Sequence, residues 1–126
     1  MRMTPRIIVG VVWACLALSC TPSAPAPQVL GQGETLTTLK ARAMTVEAMK
    51  AASVDTEVVV SGRVCKVCPA GCWFYLHGEG DLVYVDVAGD FSVPDDATGQ
   101  GALVRAWTEG EGGSRTLRAS QVVLAP

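Results

Sequence analysis

Hydrophobic and polar positions alternate with a period of two over much of the second half of the chain. Within residues 57–67, Val58, Val60 and Val64 alternate with polar side chains, a pattern typical of a strand with one buried face. Shorter apolar and aromatic runs follow, and glycine-rich turns such as the one at 78–81 separate them. The pattern predicts strands at 57–67, 73–77, 82–87, 102–108 and 116–124.

A helical pattern precedes the first of these strands, at residues 45–52. Thr45 can cap this helix, and Val46 and Met49 fall on one face, so we expect a short helix that plugs one end of the domain. One further helical turn is expected after the third strand, with Ser92 as its capping residue. These elements predict an all-β domain with a small helix appended. Closure into a five-stranded OB-like Greek-key barrel would remove its unpaired edges.

Residues 1–19 have the pattern of a bacterial lipoprotein signal peptide. Arg2 and Arg6 precede an apolar run of about a dozen residues, which is too short to span a membrane. Small residues follow and lead to Cys20. We therefore expect cleavage before Cys20 and lipidation of its sulfur, and an ordinary secretory signal cut nearby is the alternative.

Residues 20–43 are predicted to form a tether rich in proline, alanine and glycine, ahead of a barrel domain at 44–126. The expected partner is a membrane, held through the lipid anchor. Thr21, rather than Asp, follows Cys20. In a double-membraned cell this favours the outer membrane, with the domain facing the periplasm.

The net charge and the lack of catalytic motifs argue against a nucleic-acid-binding protein and against an enzyme. Cleavage would leave 8 basic and 12 acidic side chains, a balance of −4 that disfavours a nucleic-acid partner. No carboxylate pair, Ser/His/Asp set or glycine-rich phosphate loop stands out in the sequence. We therefore expect a binding or structural module of the cell envelope that is not an enzyme and holds no cofactor, with an envelope protein or small ligand still to be identified.

Three cysteines, Cys65, Cys68 and Cys72, connect the first two predicted strands. Along an extended strand the Cα atoms of Cys65 and Cys68 would lie about 10 Å apart. A disulfide needs no more than about 7 Å. Cys68 and Cys72 can meet across a tight turn, because Gly71 can adopt a positive φ. In an oxidising compartment this predicts a structural disulfide between Cys68 and Cys72.

Two alternatives for the cysteines stay open. The thiolates of Cys65, Cys68 and Cys72 could hold copper or zinc. If Val67 pairs with Cys72, strand alternation puts Cys65 and Cys72 on one face and His77 on the other, which argues against His77 as a fourth ligand. The second alternative is a thiol-disulfide redox protein, in which Cys65 attacks a Cys68–Cys72 disulfide.

Aromatic residues on the second and third strands are candidates for a ligand-binding face. Trp73, Tyr75 and Tyr84 alternate with other residues and could line such a face, as in OB modules. The alternative is that aromatic residues of a small barrel fill its core, which we expect for Phe74 and Phe91.

Segments 61–73 and 90–99 resemble the bacterial exported family called domain of unknown function 4920. They contain a Val-Cys pair, three residues ending in Gly, a Cys-Trp pair, and a Phe-x-Val-Pro turn closed by Gly. The resemblance spans about residues 45–123 and implies an exported β-barrel domain without an established activity. Cys65 is an additional cysteine relative to this pattern. The residues on the motif positions are Cys68, Gly71, Cys72 and Trp73.

Overall fold

The structure is a computed structural model that describes residues 26–111 and 114–125. The predicted signal peptide and Cys20 lie outside these ranges. No helix within them is long and apolar enough to span a membrane. In chain order the elements are β1 Gln28–Gly31, α1 Leu36–Arg42, β2 Ala43–Met44, α2 Val46–Lys50, β3 Glu57–Val67, β4 Trp73–His77, β5 Leu82–Val87, a 3-10 turn at Asp95–Ala97, β6 Gly101–Glu109 and β7 Thr116–Ala125.

Strands β3 to β7 close into a five-stranded barrel. Its order is β3-β4-β5-β7-β6, and β6 pairs back to β3. Neighbouring strands are antiparallel except for β5 and β7, which are parallel. The all-β, OB-like barrel expected from the sequence is therefore confirmed. The bounds of β3, β4 and β5 coincide with the predicted ranges, whereas β6 and β7 extend slightly beyond them.

The barrel interior is filled by alternate residues of each strand. Phe74, Leu76 and Leu117 are fully buried there, because their strands present every second side chain to the axis. Helix α2 adds Val46 and Met49 to the same core. These two side chains lie on one face of the helix, so α2 is held by apolar packing against the barrel, as the sequence predicted.

Helix α2 lies at the end of the barrel that carries the β4–β5 turn. The Thr45 hydroxyl accepts a hydrogen bond of 3.0 Å from the Ala48 amide and begins the helix. The Glu47 carboxylate accepts hydrogen bonds from the amides of Gly80 and Asp81 in that turn, at 3.1 and 3.0 Å. Side-chain capping therefore starts the helix, and Glu47 attaches it to the turn.

The opposite end carries the β3–β4 turn and the segment before the 3-10 turn. Val93 and Ala97 are buried in the core cluster, and the Val93 amide donates a hydrogen bond to the Gly71 carbonyl. Ser92 does not cap the 3-10 turn, which begins after Pro94 without a side-chain cap. The expected role of Ser92 is wrong, because burial of Val93 and its bond to Gly71 fix the position of this segment instead.

The folded unit begins earlier than residue 44, so the predicted tether boundary is wrong. Strand β1 pairs antiparallel with β7, with Gln28 opposite Leu124. Leu39 of α1 is buried in a second apolar cluster with Val59 and Val123, which lie on the outside of the barrel. This short strand and seven-residue helix lie in a segment whose composition is typical of a linker, so they acquire their partners only in the assembled fold.

Polar contacts hold this N-terminal part against the barrel. Arg42 bridges the carboxylates of Glu34 and Glu57, and Arg105 contacts Glu57 at 3.0 Å. The Gln121 side chain, 1% exposed, accepts from the Glu34 amide at 2.9 Å and donates to the Glu34 carbonyl at 2.8 Å. A buried amide without partners would be costly, so this contact specifies where the segment crosses β7.

Candidate functional site

The β3–β4 connection is a tight turn with a cysteine at each end. The Gly71 amide donates a 2.7 Å hydrogen bond to the Cys68 carbonyl, and the Cys68 amide donates a 2.9 Å bond to the Trp73 carbonyl. Pro69 occupies the first central position of the turn, where its fixed φ is favourable. Gly71 has a φ of +75°, which a residue with a Cβ atom rarely adopts. The turn geometry therefore follows from local sequence.

This turn brings the sulfur atoms of Cys68 and Cys72 within 3.4 Å of each other. Both cysteines carry free thiols, and the Cys72 thiol donates a hydrogen bond to the Cys68 sulfur. Cys72 is exposed and Cys68 is half-buried. The proximity agrees with the predicted pairing, while the disulfide itself stays a prediction.

The two thiols differ in acidity. Backbone amides of the turn, that of Ala70 first, and the Cys72 thiol hold the pKa of Cys68 below its usual range. The hydrogen bond that Cys72 gives to Cys68 is the main cause that raises the pKa of Cys72, and partial loss of solvation adds to it. Cys68 is therefore the group that carries negative charge when the pair loses its first proton, and Cys72 retains the shared proton.

Cys65 is not grouped with Cys68 and Cys72 in the described residues, contrary to the three-thiolate arrangement of the metal alternative. The register of β3 against β4 shifts between Val64 and Lys66, so Cys65 has no opposite residue and occupies a bulge. The observed register pairs Val67 with Phe74 and not with Cys72, and without the shift Val67 would pair with Trp73. Cys65 is exposed, so it does not share the core-facing side with Val67. Alternation from the buried Val64 already places Cys65 on the outer side. The bulge instead turns Val67 to the core side, where it packs against the core cluster.

The described residues do not assemble a site for the metal alternative. Within residues 26–111 and 114–125, no group of three or more His, Cys, Asp or Glu side chains converges as a metal site. His77 is exposed at the far end of β4, opposite Arg63 of β3. It lies five residues beyond Cys72, or about 17 Å along an extended strand. His77 is thus separate from the cysteine pair, as strand alternation and its position at the strand end predicted.

The aromatic residues Trp73, Tyr75 and Tyr84 form a cluster on the outer face of β4 and β5. Their ring centroids are separated by 5.7 Å, 5.9 Å and 5.7 Å, and two of the three pairs meet edge to face. All three side chains are half-exposed, whereas Phe74, which alternates with them, is fully buried. The rings therefore belong to the outer surface. Phe91 is half-buried and packs at the edge of the core.

Charged groups border this aromatic cluster. Lys66 lies opposite Tyr75, and Asp86 lies opposite Trp73 in the strand register. Burial raises the pKa of Tyr84, as do the charges of Asp86 and of the nearby Cys72. The cysteine turn and the aromatic cluster are thus contiguous, with polar groups at their rim.

The sequence analysis did not single out Lys66 or Asp86 as part of this surface. Their positions were accessible in principle, since Asp86 is two residues from Tyr84 and so shares its face of the strand. These charges lie beside the rings because β4 pairs with β3 on one side and β5 on the other. The sequence alone does not reveal this pairing.

No family model and no curated protein matches this chain. Among solved structures, it is similar to one described as the hypothetical protein ygiW from E. coli, with a TM-score of 0.50 and 16% sequence identity. The match covers 66% of this chain and 89% of that one. At this level of identity the likeness concerns the fold, and it agrees with the OB-like strand order.

Proposed function

We propose that this chain is a lipoprotein of the bacterial cell envelope whose barrel binds a ligand on the outer face of β4 and β5. The observation that carries the proposal is the surface cluster of Trp73, Tyr75 and Tyr84, whose centroids lie within 6 Å of one another. Apolar ring surface that remains in water is available for stacking with a partner. The barrel is a binding module in this proposal and performs no chemistry on its ligand.

The surroundings of the cluster indicate what kind of ligand fits. Three adjoining rings suit a ligand with a flat or apolar face, and Lys66 and Asp86 at the rim supply a cation and an anion for its polar groups. The acidic balance of the mature chain continues to disfavour nucleic acid. A small molecule or an envelope protein segment with an exposed planar group fits these properties.

A disulfide between Cys68 and Cys72 is the second part of the proposal. The two sulfurs, 3.4 Å apart, need to approach to about 2.05 Å for a bond. The turn already brings the chain ends together, and export would put the pair in an oxidising compartment. The bond would restrain the turn that leads directly into Trp73 and so hold one side of the ligand face.

Site-specific photocrosslinking in living cells tests the ligand face. A benzoylphenylalanine at position 75 or 84 replaces a tyrosine with another aromatic side chain and is expected to give a discrete adduct after irradiation. The same probe at Thr37, which is exposed on α1, is the control. Absence of adducts at 75 and 84, or identical adducts at position 37, would refute the aromatic cluster as the binding face.

Thiol-disulfide exchange is a second candidate function, favoured by the unequal acidity of the two thiols. The Cys68 thiolate would attack a disulfide of a partner protein, forming a mixed disulfide and releasing one partner thiolate. Cys72 would then lose its proton to solvent and attack the Cys68 sulfur, releasing the second partner thiolate. The partner disulfide is reduced to two thiols, and Cys68 and Cys72 are oxidised to one disulfide.

The reduction potential separates an exchange function from a structural one. Equilibration of the protein with glutathione redox buffers, followed by thiol alkylation and mass spectrometry, gives the potential of the pair. A value below about −300 mV supports a structural disulfide, whereas a value near −200 mV supports exchange. Retention of three alkylated thiols together with one copper or zinc ion would instead favour the metal alternative.

A further inference from the structure

An apolar groove lies on another side of the barrel, where α1 crosses the outer face of β3, β6 and β7. Its volume is about 400 Å³, within the usual range for small-molecule sites. Small residues from β3 and β6 form its floor, and larger apolar side chains form its walls. The floor residues are Ser61, Gly62, Gly101 and Ala102, and the walls include Leu36, Leu103 and Val123.

The strand register explains why the groove exists. Ser61 of β3 lies opposite Leu103 of β6, and Leu103 lies opposite Val123 of β7, so these outer positions form one row across three strands. Leu36 from α1 is raised above this row and packs with the same apolar cluster. Ser61 and Gly101 are also outer positions, and because they have a small side chain or none, the space beside α1 stays open. The Ala102 side chain points into the barrel core.

The groove carries one charged side chain among its described lining residues, that of Lys40. No ion pair within residues 26–111 or 114–125 involves Lys40. An apolar trough with a single cation at its rim is complementary to a molecule with a long apolar chain and one negative charge. We propose that this groove binds a free long-chain fatty acid, with its acyl chain along the floor and its carboxylate at Lys40.

The physical reasons for this ligand class are independent of the aromatic cluster. Burial of the acyl chain removes apolar surface of both the ligand and the groove from water. The Lys40 ammonium offers three donors to the carboxylate oxygens. This inference goes beyond the proposed function, because it concerns different strands and a different ligand, and either site can fail without the other.

A displacement assay tests the groove on the full mature chain with Cys20→Ser. This substitution removes the lipidation site, so the protein brings no lipid of its own to the assay. The probe is dansyl-undecanoic acid, and the competitor is palmitate below its aggregation concentration. Saturable binding of one palmitate per chain is expected. Ser61→Phe fills the groove from an outward strand position and is expected to weaken palmitate binding at least about tenfold. Ser53→Phe, which adds the same ring at an exposed position outside the groove, is the matched control.

The role of Lys40 is tested by comparing palmitate with hexadecanol, which has the same chain length and no charge. Lys40→Glu is expected to weaken the binding of palmitate about two- to fivefold, as for an exposed charge pair. The binding of hexadecanol should be unchanged. Lys50→Glu, a charge reversal at a lysine of α2 outside the groove, should leave the binding of both ligands unchanged. An equal loss for both ligands in Lys40→Glu would overturn the assignment of the carboxylate.

Three further outcomes would overturn the proposal. The first is an absence of saturable palmitate binding, or equal binding to Ser61→Phe. The second is occupation of the groove by the protein's own lipid anchor. In that case the methyl NMR shifts of Leu103 and Val123 in the lipidated protein in nanodiscs would already match those of the palmitate complex. The third is a dimer in sedimentation velocity that Ser61→Phe abolishes while palmitate has no effect, which would assign the groove to a second copy of the chain.

Discussion

The carbonyl oxygen of Gly71 accepts a 3.0 Å hydrogen bond from the Val93 amide, and a Cβ atom on Gly71 would lie 2.6 Å from the Val93 carbonyl oxygen. The cysteine turn and the segment before the 3-10 turn are therefore in direct backbone contact. Gly71 also has a φ of +75°. The position thus excludes a larger residue for two separate reasons, a strained backbone and a steric clash.

We expect Gly71→Ala to destabilise the domain by about 1–3 kcal/mol, because the Cβ atom forces the turn away from Val93 in an unfavourable backbone conformation. Urea unfolding measures this change. Gly80→Ala is the control, since among the described residues no atom beyond its chain neighbours lies within 4 Å of a Cβ atom at that position. Equal free energies of unfolding for the two variants would contradict the proposed contact.

Formation of the disulfide is expected to stabilise the domain by about 2 kcal/mol, the chain-entropy value for a loop of about five residues. Cys72→Ser should lose this contribution under oxidising conditions and should lose nothing when the parent protein is already reduced. Cys65→Ser should match the parent in both conditions, because Cys65 lies exposed in the bulge. A Cys65→Ser variant that loses the disulfide would reassign the pairing.

Glu47 is expected to make the fold sensitive to acid. The backbone amide of Gly80, with other amides of the β4–β5 turn, holds the pKa of the Glu47 carboxyl below its usual range. A carboxyl with a lower pKa in the folded chain stabilises the fold above its unfolded pKa, and this stabilisation is lost as the pH falls through the folded pKa. The loss should therefore begin below about pH 4.3, the ordinary glutamate value.

Thermal unfolding between pH 7 and pH 3 measures the contribution of Glu47. Glu47→Gln should lower the melting temperature at pH 7 and show a smaller further decrease on acidification than the parent. Glu79→Gln alters an exposed carboxylate in the same turn and should follow the parent profile. Parallel profiles for the parent and Glu47→Gln would contradict the lowered pKa of the Glu47 carboxyl in the folded chain.

Membrane attachment is expected to depend on Cys20. Cys20→Ser should move the protein from the membrane fraction to the soluble fraction of the cell envelope, and intact mass should lose the increment of the attached lipid. Cys15→Ser, inside the predicted signal peptide, should leave both properties unchanged. A Cys20→Ser protein that stays membrane-bound would contradict the lipoprotein prediction.

Much of the barrel was predictable, because its signals are local. The bounds of β3, β4 and β5 follow from alternation and from glycine-rich turns, and α2 follows from its Thr45 cap and apolar face. Alternation also separated Trp73 and Tyr75 from Phe74. The core position expected for Phe74 is confirmed, whereas the sequence left open whether Trp73 and Tyr75 line a ligand face or fill the core. Closure of the barrel around Phe74 placed them on the outer surface.

The sequence by itself determined the strands, their two faces and the turn that brings Cys68 to Cys72, because each depends on residues within a few positions of one another. Tertiary structure decided the rest. The bulge at Cys65 reflects how β3 pairs with β4. The segment 28–43 folds because β1 obtains its hydrogen bonds from β7, and α1 obtains its apolar partners from β3 and β7. Those partners are distant in the chain, so no local pattern in a linker-like composition could indicate them.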